Sequence, residues 1–161
     1  RMKRMMLTLL DFKISDAALT KEMSDLFLQL LPTRTLLFPD TIETLQYLKD
    51  KGYCLHLITN GFEATQHSKL KSCGLQTYFT HVITSEGSNS IKPERAIFEY
   101  AVQKAGTTVA ESIMIGDSPE IDILGANNAG MHSVHVNYDH KPQAVKPTYT
   151  IYHLKELRNI L

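Results

Sequence analysis

The chain has 161 residues, of which 43% are hydrophobic and 21% are charged, a composition typical of a globular protein. Lysine plus arginine and aspartate plus glutamate both number 17, so the formal net charge is zero. This balance argues against a protein that binds a nucleic-acid polymer by neutralising its phosphates, and against a basic membrane-surface protein. The length allows one ordinary domain and part of a second.

The cysteines and the first residues indicate a cytoplasmic protein with no membrane partner. Cys54 and Cys73 are too few for a disulfide framework and have no metal-ligand spacing, which suits a reducing compartment. The apolar run after the basic start is broken at Asp11, too early for a translocated signal segment. No apolar stretch approaches the length of a membrane span.

Residues 1–36 carry only helical patterns. Apolar residues recur at three- and four-residue steps, as on one face of a helix: Leu19, Met23, Phe27, Leu30 and Leu31. Pro32 ends this predicted helix. The pattern changes near Pro39, and we therefore divide the chain into residues 1–36 and residues 37–161.

From residue 40 onward, predicted helices and strands alternate. A helix with Asp40 and Glu43 as a capping box is followed by an apolar strand at 53–59 and by a helix ending at Cys73. Further strands are predicted at 79–84, 112–115 and 133–136, with helices at 93–105 and 120–129 between them. A loop-like tail ends in a short helix from residue 154. This alternation predicts an α/β fold, a Rossmann-like parallel sheet flanked by helices.

Two predicted strands are followed by groups that can bind an anion, at the edge where ligands of parallel sheets bind. Thr59, Asn60 and Gly61 combine a hydroxyl with backbone N–H groups at a tight turn. A plain turn and helix cap is an equally good interpretation of that segment. Lys92 stands directly before the helix-opening Pro93, although a lone lysine is more often a solvated surface residue.

A third predicted strand leads into Gly116-Asp117 and, five residues later, Asp122. Two carboxylates placed at a strand end and in the first helical turn suit a hard cation such as Mg²⁺. The alternative is that Asp117 caps the helix and Asp122 complements its dipole. A hydroxyl turn, a lysine and paired carboxylates, in this order, are the components of metal-assisted phosphoryl transfer.

These segments resemble the motifs of the haloacid dehalogenase-like hydrolase superfamily, and the resemblance covers nearly the whole chain. Residues 57–62 look like its second motif, Lys92-Pro93 its third, and residues 116–122 its fourth. The most similar branch comprises the house-cleaning nucleotidases that act on pyrimidine monophosphates, with phosphoglycolate and sugar-phosphate phosphatases as near neighbours. In place of the glycine that the family usually has three residues before the lysine, the chain has Asn89, which tolerates the same left-handed turn.

The resemblance implies roles for individual residues. The phosphate ligands would be Thr59, Asn60, Gly61 and Lys92. Asp117 would bind the cofactor Mg²⁺ with support from Asp122, partly through water, and Lys92 and Asp117 would be catalytic. The implied function is a Mg²⁺-dependent phosphatase of small phosphorylated substrates, including pyrimidine nucleotides, that passes through an aspartyl-phosphate. Metal-free dehalogenases of the superfamily generally lack the acidic pair, so they are the weaker alternative.

The nucleophile motif of the superfamily, Asp-x-Asp on its first strand, is absent from this sequence. Residues 1–36 resemble the closing helices of a helical cap, and residues 37–161 a core without its first strand. In the family that strand lies between the strands ending at Thr59 and Asp117. We therefore expect a segment N-terminal to Arg1, or a second chain, to supply it. The remaining alternative is a rearranged sheet in an inactive protein that binds a phosphorylated ligand or a protein partner.

The histidines give no metal site by their spacing. His132 and His135 lie three residues apart on a predicted strand and therefore on opposite faces. His56 and His81 are expected to be structural residues with satisfied hydrogen bonds in or beside the sheet. Tyr138, which follows the last predicted strand, could border the site, although a solvated loop is the favoured interpretation.

Overall fold

A computed structural model of the chain describes residues 2–161. The chain begins with a helical hairpin, α1 (Met2–Asp11) and α2 (Ala17–Leu30), followed by a 3₁₀ turn at Leu31–Thr33. The Asp16 carboxylate caps α2 by accepting a hydrogen bond of 2.9 Å from the Leu19 N–H. The predicted apolar stripe of α2 is largely uncovered, because the residues of the hairpin that are buried are Leu9, Thr20 and Ser24.

The rest of the chain alternates between helices and strands, as the sequence predicts. The strands are β1 (His56–Thr59), β2 (His81–Thr84), β3 (Ile113–Gly116), β4 (His132–Val136) and β5 (Tyr149–Ile151). The helices are α3 (Thr41–Asp50), α4 (Glu63–Ser72), the four-residue α5 (Ser85–Ser88), α6 (Arg95–Ala105) and α7 (Leu124–Ala129). A π-helical turn, Pro119–Ile123, leads into α7, and 3₁₀ turns lie at Val109–Glu111 and Leu154–Asn159.

All strand pairs are parallel, and they form two separate sheets. In the first, β1 pairs with β2, so that Thr59 lies beside Thr84. In the second, the order is β3-β4-β5, with Gly116 beside His135 and Val136 beside Ile151. The fold is therefore the predicted α/β arrangement of parallel strands flanked by helices.

Helices cover both faces of the strands, and each face has its own apolar cluster. On one face, α6 and α7 pack on the strands through Ile97, Phe98 and Ala126, which are completely buried. On the other face, Val134 and Val136 of β4 contact Leu48 of α3 and Leu157 near the C-terminus. Alternation of side chains along β4 sends the valines to one cluster and leaves Ser133 and His135 on the opposite face.

Several local predictions were wrong. The capping box at Asp40 does not form, because Asp40 adopts a left-handed conformation (φ 61°) and its side chain makes no capping hydrogen bond. A capping residue needs extended backbone angles to turn its carboxylate toward the helix. The tail predicted as a loop contains the fifth strand, β5. The helix predicted from Pro93 begins two residues later, at Arg95.

Within residues 2–161, no ladder of hydrogen bonds joins β1 to β3, so the two sheets stay separate. Every residue of β1 and β3 is only half-buried, whereas four of the five residues of β4 are fully buried. Direct pairing of the strands ending at Thr59 and Asp117, one of the alternatives for the missing strand, is therefore not observed. None of the helices in this described part is both long and apolar enough to cross a membrane.

Candidate active site

The turn after β1 holds the lysine segment through two hydrogen bonds between the Asn60 side chain and the Lys92 backbone. The amide oxygen of Asn60 accepts a bond of 2.7 Å from the Lys92 N–H, and the amide nitrogen of Asn60 donates one of 2.9 Å to the Lys92 carbonyl. We refer to this pair of bonds as the Asn60 clamp. Because it joins positions 32 residues apart, it brings the two predicted anion-binding segments to one place.

The ammonium of Lys92 forms an ion pair with Asp122. Its Nζ lies 2.6 Å from Oδ1 of Asp122, and the two side chains are only 12% and 5% exposed. Oδ2 of the same carboxylate accepts a hydrogen bond of 3.1 Å from the Ser118 N–H. The predicted lysine and carboxylate segments are thus joined by a buried charged contact rather than by two exposed side chains.

Gly116 is required by the position of Asp122. A Cβ atom at residue 116 would lie 2.4–2.5 Å from the carboxylate and the Cβ of Asp122, closer than real contacts allow. The chain therefore leaves β3 without a side chain at this point, and Asp122 occupies the space. Asp117 follows at the end of the strand and is exposed. The space occupied by Asp122 therefore explains the glycine at position 116, which a helix-capping role for Asp117 does not explain.

The hydroxyl turn is closed by its own hydrogen bond. Oγ1 of Thr59 accepts a bond of 3.0 Å from the Gly61 N–H, so this N–H already has a partner. The side-chain amide of Asn60 is likewise engaged in the clamp. The Thr59 hydroxyl accepts this bond and donates none among residues 2–161, so its proton stays available as a hydrogen-bond donor.

The loop before Lys92 has the turn that the sequence predicts. Asn89 is left-handed, with φ at 51°, which is the conformation that asparagine tolerates in place of glycine. Ser90 is buried and donates a hydrogen bond of 2.7 Å to the carboxylate of Glu94. These contacts fix the loop from which Lys92 projects.

Two further residues lie beside the Asp117 turn: His135, which was not predicted as part of the site, and Tyr138, for which bordering the site was the less favoured interpretation. Nε2 of His135, on β4, lies 3.2 Å from the Asp117 carbonyl oxygen. Burial raises the pKa of Tyr138 above its ordinary value, and the charges of Asp117 and Asp40 raise it further. The Tyr138 ring also stacks on Phe38 at 4.5 Å between ring centres, so Tyr138 lies in a turn after β4 but is half-buried rather than solvated.

The carboxylates of Asp117 and Asp122 suit Mg²⁺, but they are not equally available to bind it. Mg²⁺ is commonly held by one or two carboxylates together with water and substrate phosphate, and both Asp117 and Asp122 offer oxygen ligands. Asp117 is exposed at the strand end, whereas both oxygens of Asp122 already accept hydrogen bonds. Among residues 2–161, no three histidine, cysteine, aspartate or glutamate side chains are grouped to hold a metal ion by themselves. Additional ligands would have to come from water, phosphate or another segment.

Most of the predicted site residues are therefore connected. Hydrogen bonds link the Thr59 turn, Lys92 and the segment from Asp117 to Asp122 in an unbroken series. The sequence signal that was overlooked is His135 itself. A histidine between two valines in a buried strand requires a polar partner.

Comparison with known proteins matches the chain to one protein family. The sequence profile described as haloacid dehalogenase-like hydrolase matches residues 8–136. Pyrimidine 5'-nucleotidase YjjG of Escherichia coli K12 is 40% identical over 108 residues, which are 65% of this chain and 48% of that protein. Glyceraldehyde 3-phosphate phosphatase of Methanothermobacter thermautotrophicus is 43% identical over 100 residues, covering 62% of this chain and 44% of that protein.

A solved structure extends the comparison to the whole fold. The magnesium-bound structure of the putative hydrolase YfnB from Bacillus subtilis superposes with a TM-score of 0.87 at 28% sequence identity. The superposition covers 98% of this chain and 69% of that protein. The chain spans about half the length of the curated relatives it matches.

Proposed function

Because the chain belongs to the haloacid dehalogenase-like hydrolase family, we propose that it forms the phosphate- and metal-binding half of a Mg²⁺-dependent phosphatase. The observation that carries this proposal is the buried pair between Lys92 and Asp122, whose carboxylate also holds the N–H of Ser118, the residue after the exposed Asp117. A buried ammonium and a free carboxylate at one sheet edge fit an oxyanion together with a divalent cation.

Each residue of the site has a distinct task in this proposal. The Thr59 hydroxyl donates a hydrogen bond to a phosphate oxygen, and Lys92 neutralises part of the phosphate charge. Asp122 keeps the Lys92 ammonium in place, and the Asn60 clamp keeps its backbone in place. Asp117 holds Mg²⁺, which supplies further neutralisation of the charge on the transferring phosphoryl group. Catalysis then depends on charges that are arranged before the substrate arrives.

The nucleophile in this proposal comes from outside the 161 residues. A parallel strand between β1 and β3 would pair the backbone groups that the two sheets leave open. Its carboxyl end would lie beside Thr59, Lys92 and Asp117. There an aspartate would attack phosphorus while the P–O bond to the substrate alcohol breaks and the alcohol leaves, and water would then hydrolyse the aspartyl-phosphate to inorganic phosphate. Buried backbone groups that stay unpaired cost about 1–3 kcal/mol each, which favours filling this gap.

We propose a small phosphorylated metabolite as the substrate and the cytoplasm as the location. The similar proteins include a pyrimidine 5'-nucleotidase and a triose phosphate phosphatase, and both names describe hydrolysis of small phosphomonoesters. A pyrimidine 5'-monophosphate is therefore the first substrate to test. A nucleic-acid polymer is not proposed, because the net charge is zero.

The test compares the 161-residue chain with the longest open reading frame that contains it. Both are assayed on a pyrimidine 5'-monophosphate and on p-nitrophenyl phosphate, with and without Mg²⁺. The proposal expects Mg²⁺-dependent turnover by the longer protein, loss of that turnover in Asp117→Asn, and no turnover by the shorter chain.

Other outcomes separate the alternatives. Full activity of the 161 residues alone would refute the external nucleophile. Binding of phosphate and Mg²⁺ by both proteins without turnover would favour a ligand-binding protein. Chloride release from a 2-haloacid without Mg²⁺ would favour a dehalogenase.

A further inference from the structure

His135 is a buried polar residue in an apolar strand. It is 3% exposed, and its neighbours on β4 are Val134 and Val136, which face the opposite cluster. The parallel register places it directly beside Gly116, the residue before Asp117. A histidine in such a place requires a hydrogen-bond partner, since burying an unpaired polar group is costly.

The contact with Asp117 fixes the position of the imidazole proton. Nε2 lies 3.2 Å from the Asp117 carbonyl oxygen, and a carbonyl oxygen can only accept a hydrogen bond. Nε2 must therefore carry the proton. Nδ1 is buried and has no hydrogen-bond partner among residues 2–161. A bare Nδ1 lone pair agrees with this tautomer, because buried N–H groups without a partner are rarer than buried acceptors without one.

We propose that His135 is a positioning residue for Asp117. Its Nε2–H holds the Asp117 carbonyl, Gly116 lets the chain pass Asp122, and Asp122 holds the next N–H, that of Ser118. The backbone on both sides of the exposed Asp117 carboxylate is thereby fixed, so the carboxylate is directed toward the proposed Mg²⁺ site. This inference rests on the proposed function, in which Asp117 binds the metal.

The neighbouring His132 provides a matched control. It lies three residues earlier on the same strand and is exposed. Its Nδ1 is 3.5 Å from the Thr148 hydroxyl. Among residues 2–161, the His132 side chain makes no hydrogen bond with Asp117. Replacing either histidine removes one imidazole from β4, but only His135 reaches the Asp117 turn.

The experiment uses the 161-residue chain and three variants. His135→Phe keeps a ring and removes the donor, His135→Gln restores a side-chain N–H, and His132→Phe is the control. Mg²⁺ alone is titrated into each ¹⁵N-labelled protein while the amide signals of Asp117 and Ser118 are followed. Removing a residue that orients a metal ligand lowers metal affinity about tenfold or more. We expect this loss in His135→Phe, partial recovery in His135→Gln, and no change in His132→Phe.

A second measurement judges the inference without the metal. The imidazole nitrogen signals of His135 should show the Nε2–H tautomer in the unmodified chain. The Nδ1–H tautomer, or unchanged Mg²⁺ affinity in His135→Phe, would overturn the inference. If the unmodified chain binds no Mg²⁺, the same titrations are made in the longer protein that contains it, because its additional segment can supply further ligands. Absence of Mg²⁺ binding there too means that the metal site in the proposed function fails instead, and the tautomer alone decides whether His135 holds the Asp117 carbonyl.

Discussion

The helical hairpin and the α/β part of the molecule bury their apolar residues very differently. In the α/β part, Ile97 and Phe98 are completely buried by neighbouring elements. In the hairpin, Phe27 and Leu30 are 38% and 42% exposed, and two of the three buried side chains are the polar Thr20 and Ser24. The α/β part thus has a hydrophobic core of its own, whereas the hairpin contributes little apolar burial within the described chain.

The same contrast holds for charges. Lys92–Asp122 in the α/β part and Lys21–Asp25 in the hairpin are both ion pairs of 2.6 Å. The first pair is almost completely buried, and the side chains of the second are 69% and 51% exposed. The two pairs therefore differ in interaction energy although their N–O distances are equal, because water screens the exposed pair much more than the buried one.

The largest predicted effect is the loss of a core phenylalanine. Phe98→Ala should lower the free energy of unfolding by about 3–5 kcal/mol, because it leaves a cavity in a fully packed site. Phe27→Ala in the hairpin should change it much less, since that ring is already partly solvated. Urea unfolding followed by circular dichroism measures both. Similar losses in the two variants would show that the hairpin ring is buried in solution.

The second predicted effect concerns the two ion pairs. Asp122→Ala leaves the Lys92 ammonium buried without its counter-charge, which should lower the free energy of unfolding by about 3 kcal/mol. Asp25→Ala removes the corresponding carboxylate of the exposed pair and should leave the urea midpoint almost unchanged. Equal midpoints for Asp122→Ala and Asp25→Ala would contradict the burial of the Lys92 pair.

The strand-helix alternation was predictable from sequence because it depends on local periodicity. The strands β1 to β4 and the helices between them lie within a few residues of their predicted positions. The strand β5 was missed because Tyr149–Ile151 has three residues, too few for a periodic pattern, and is defined by pairing with β4. The Asp40 capping box failed because its sequence spacing does not determine whether the backbone becomes left-handed.

The sequence indicates which residues to consider for the candidate site, but not which contacts these residues make with one another. The sequence singles out Lys92, Asp117 and Asp122 because each follows a predicted strand and because, together with the Thr59 turn, they resemble the motifs of one family. That Asp122 pairs with Lys92 depends on the tertiary arrangement of two loops 30 residues apart. The role of the Asn60 side chain was equally hidden, since an asparagine after a strand reads as a turn residue.

The third prediction tests whether the Asn60 clamp holds the Lys92 backbone in solution. Asn60→Ala removes both hydrogen bonds to Lys92 and should destabilise the protein by about 1–2 kcal/mol. It should also increase hydrogen exchange of the Lys92 amide, which donates to Asn60 at 2.7 Å. Asn60→Asp keeps the acceptor for the Lys92 N–H but places a carboxylate oxygen against the Lys92 carbonyl, so it should retain only part of that protection. Asn128→Ala, at an exposed position of α7, is the control. Unchanged exchange at Lys92 in Asn60→Ala would mean that the clamp does not persist in solution.

The smallest predicted effect is a pH dependence that arises in the β1–β2 sheet and not in the hairpin. His56 stacks on His81 at 5.2 Å between ring centres. Its Nδ1 is buried without a hydrogen-bond partner among residues 2–161, so the expectation that the hydrogen bonds of His56 are satisfied was wrong for this atom. Burial, and then the charge of His81, lower the pKa of His56 below its ordinary value of 6.5.

The unfolded chain therefore binds a proton at His56 more readily than the folded chain does, and stability rises with pH in that range. The stabilisation is complete above pH 6.5 and is lost as the pH falls from there through the lower pKa of the folded state. His56→Gln should flatten the dependence of the urea midpoint on pH between about 7.5 and 5.5. His132→Gln, which alters an exposed histidine, should leave the slope unchanged. A slope that His56→Gln does not alter would place the pH sensitivity outside this stacked pair.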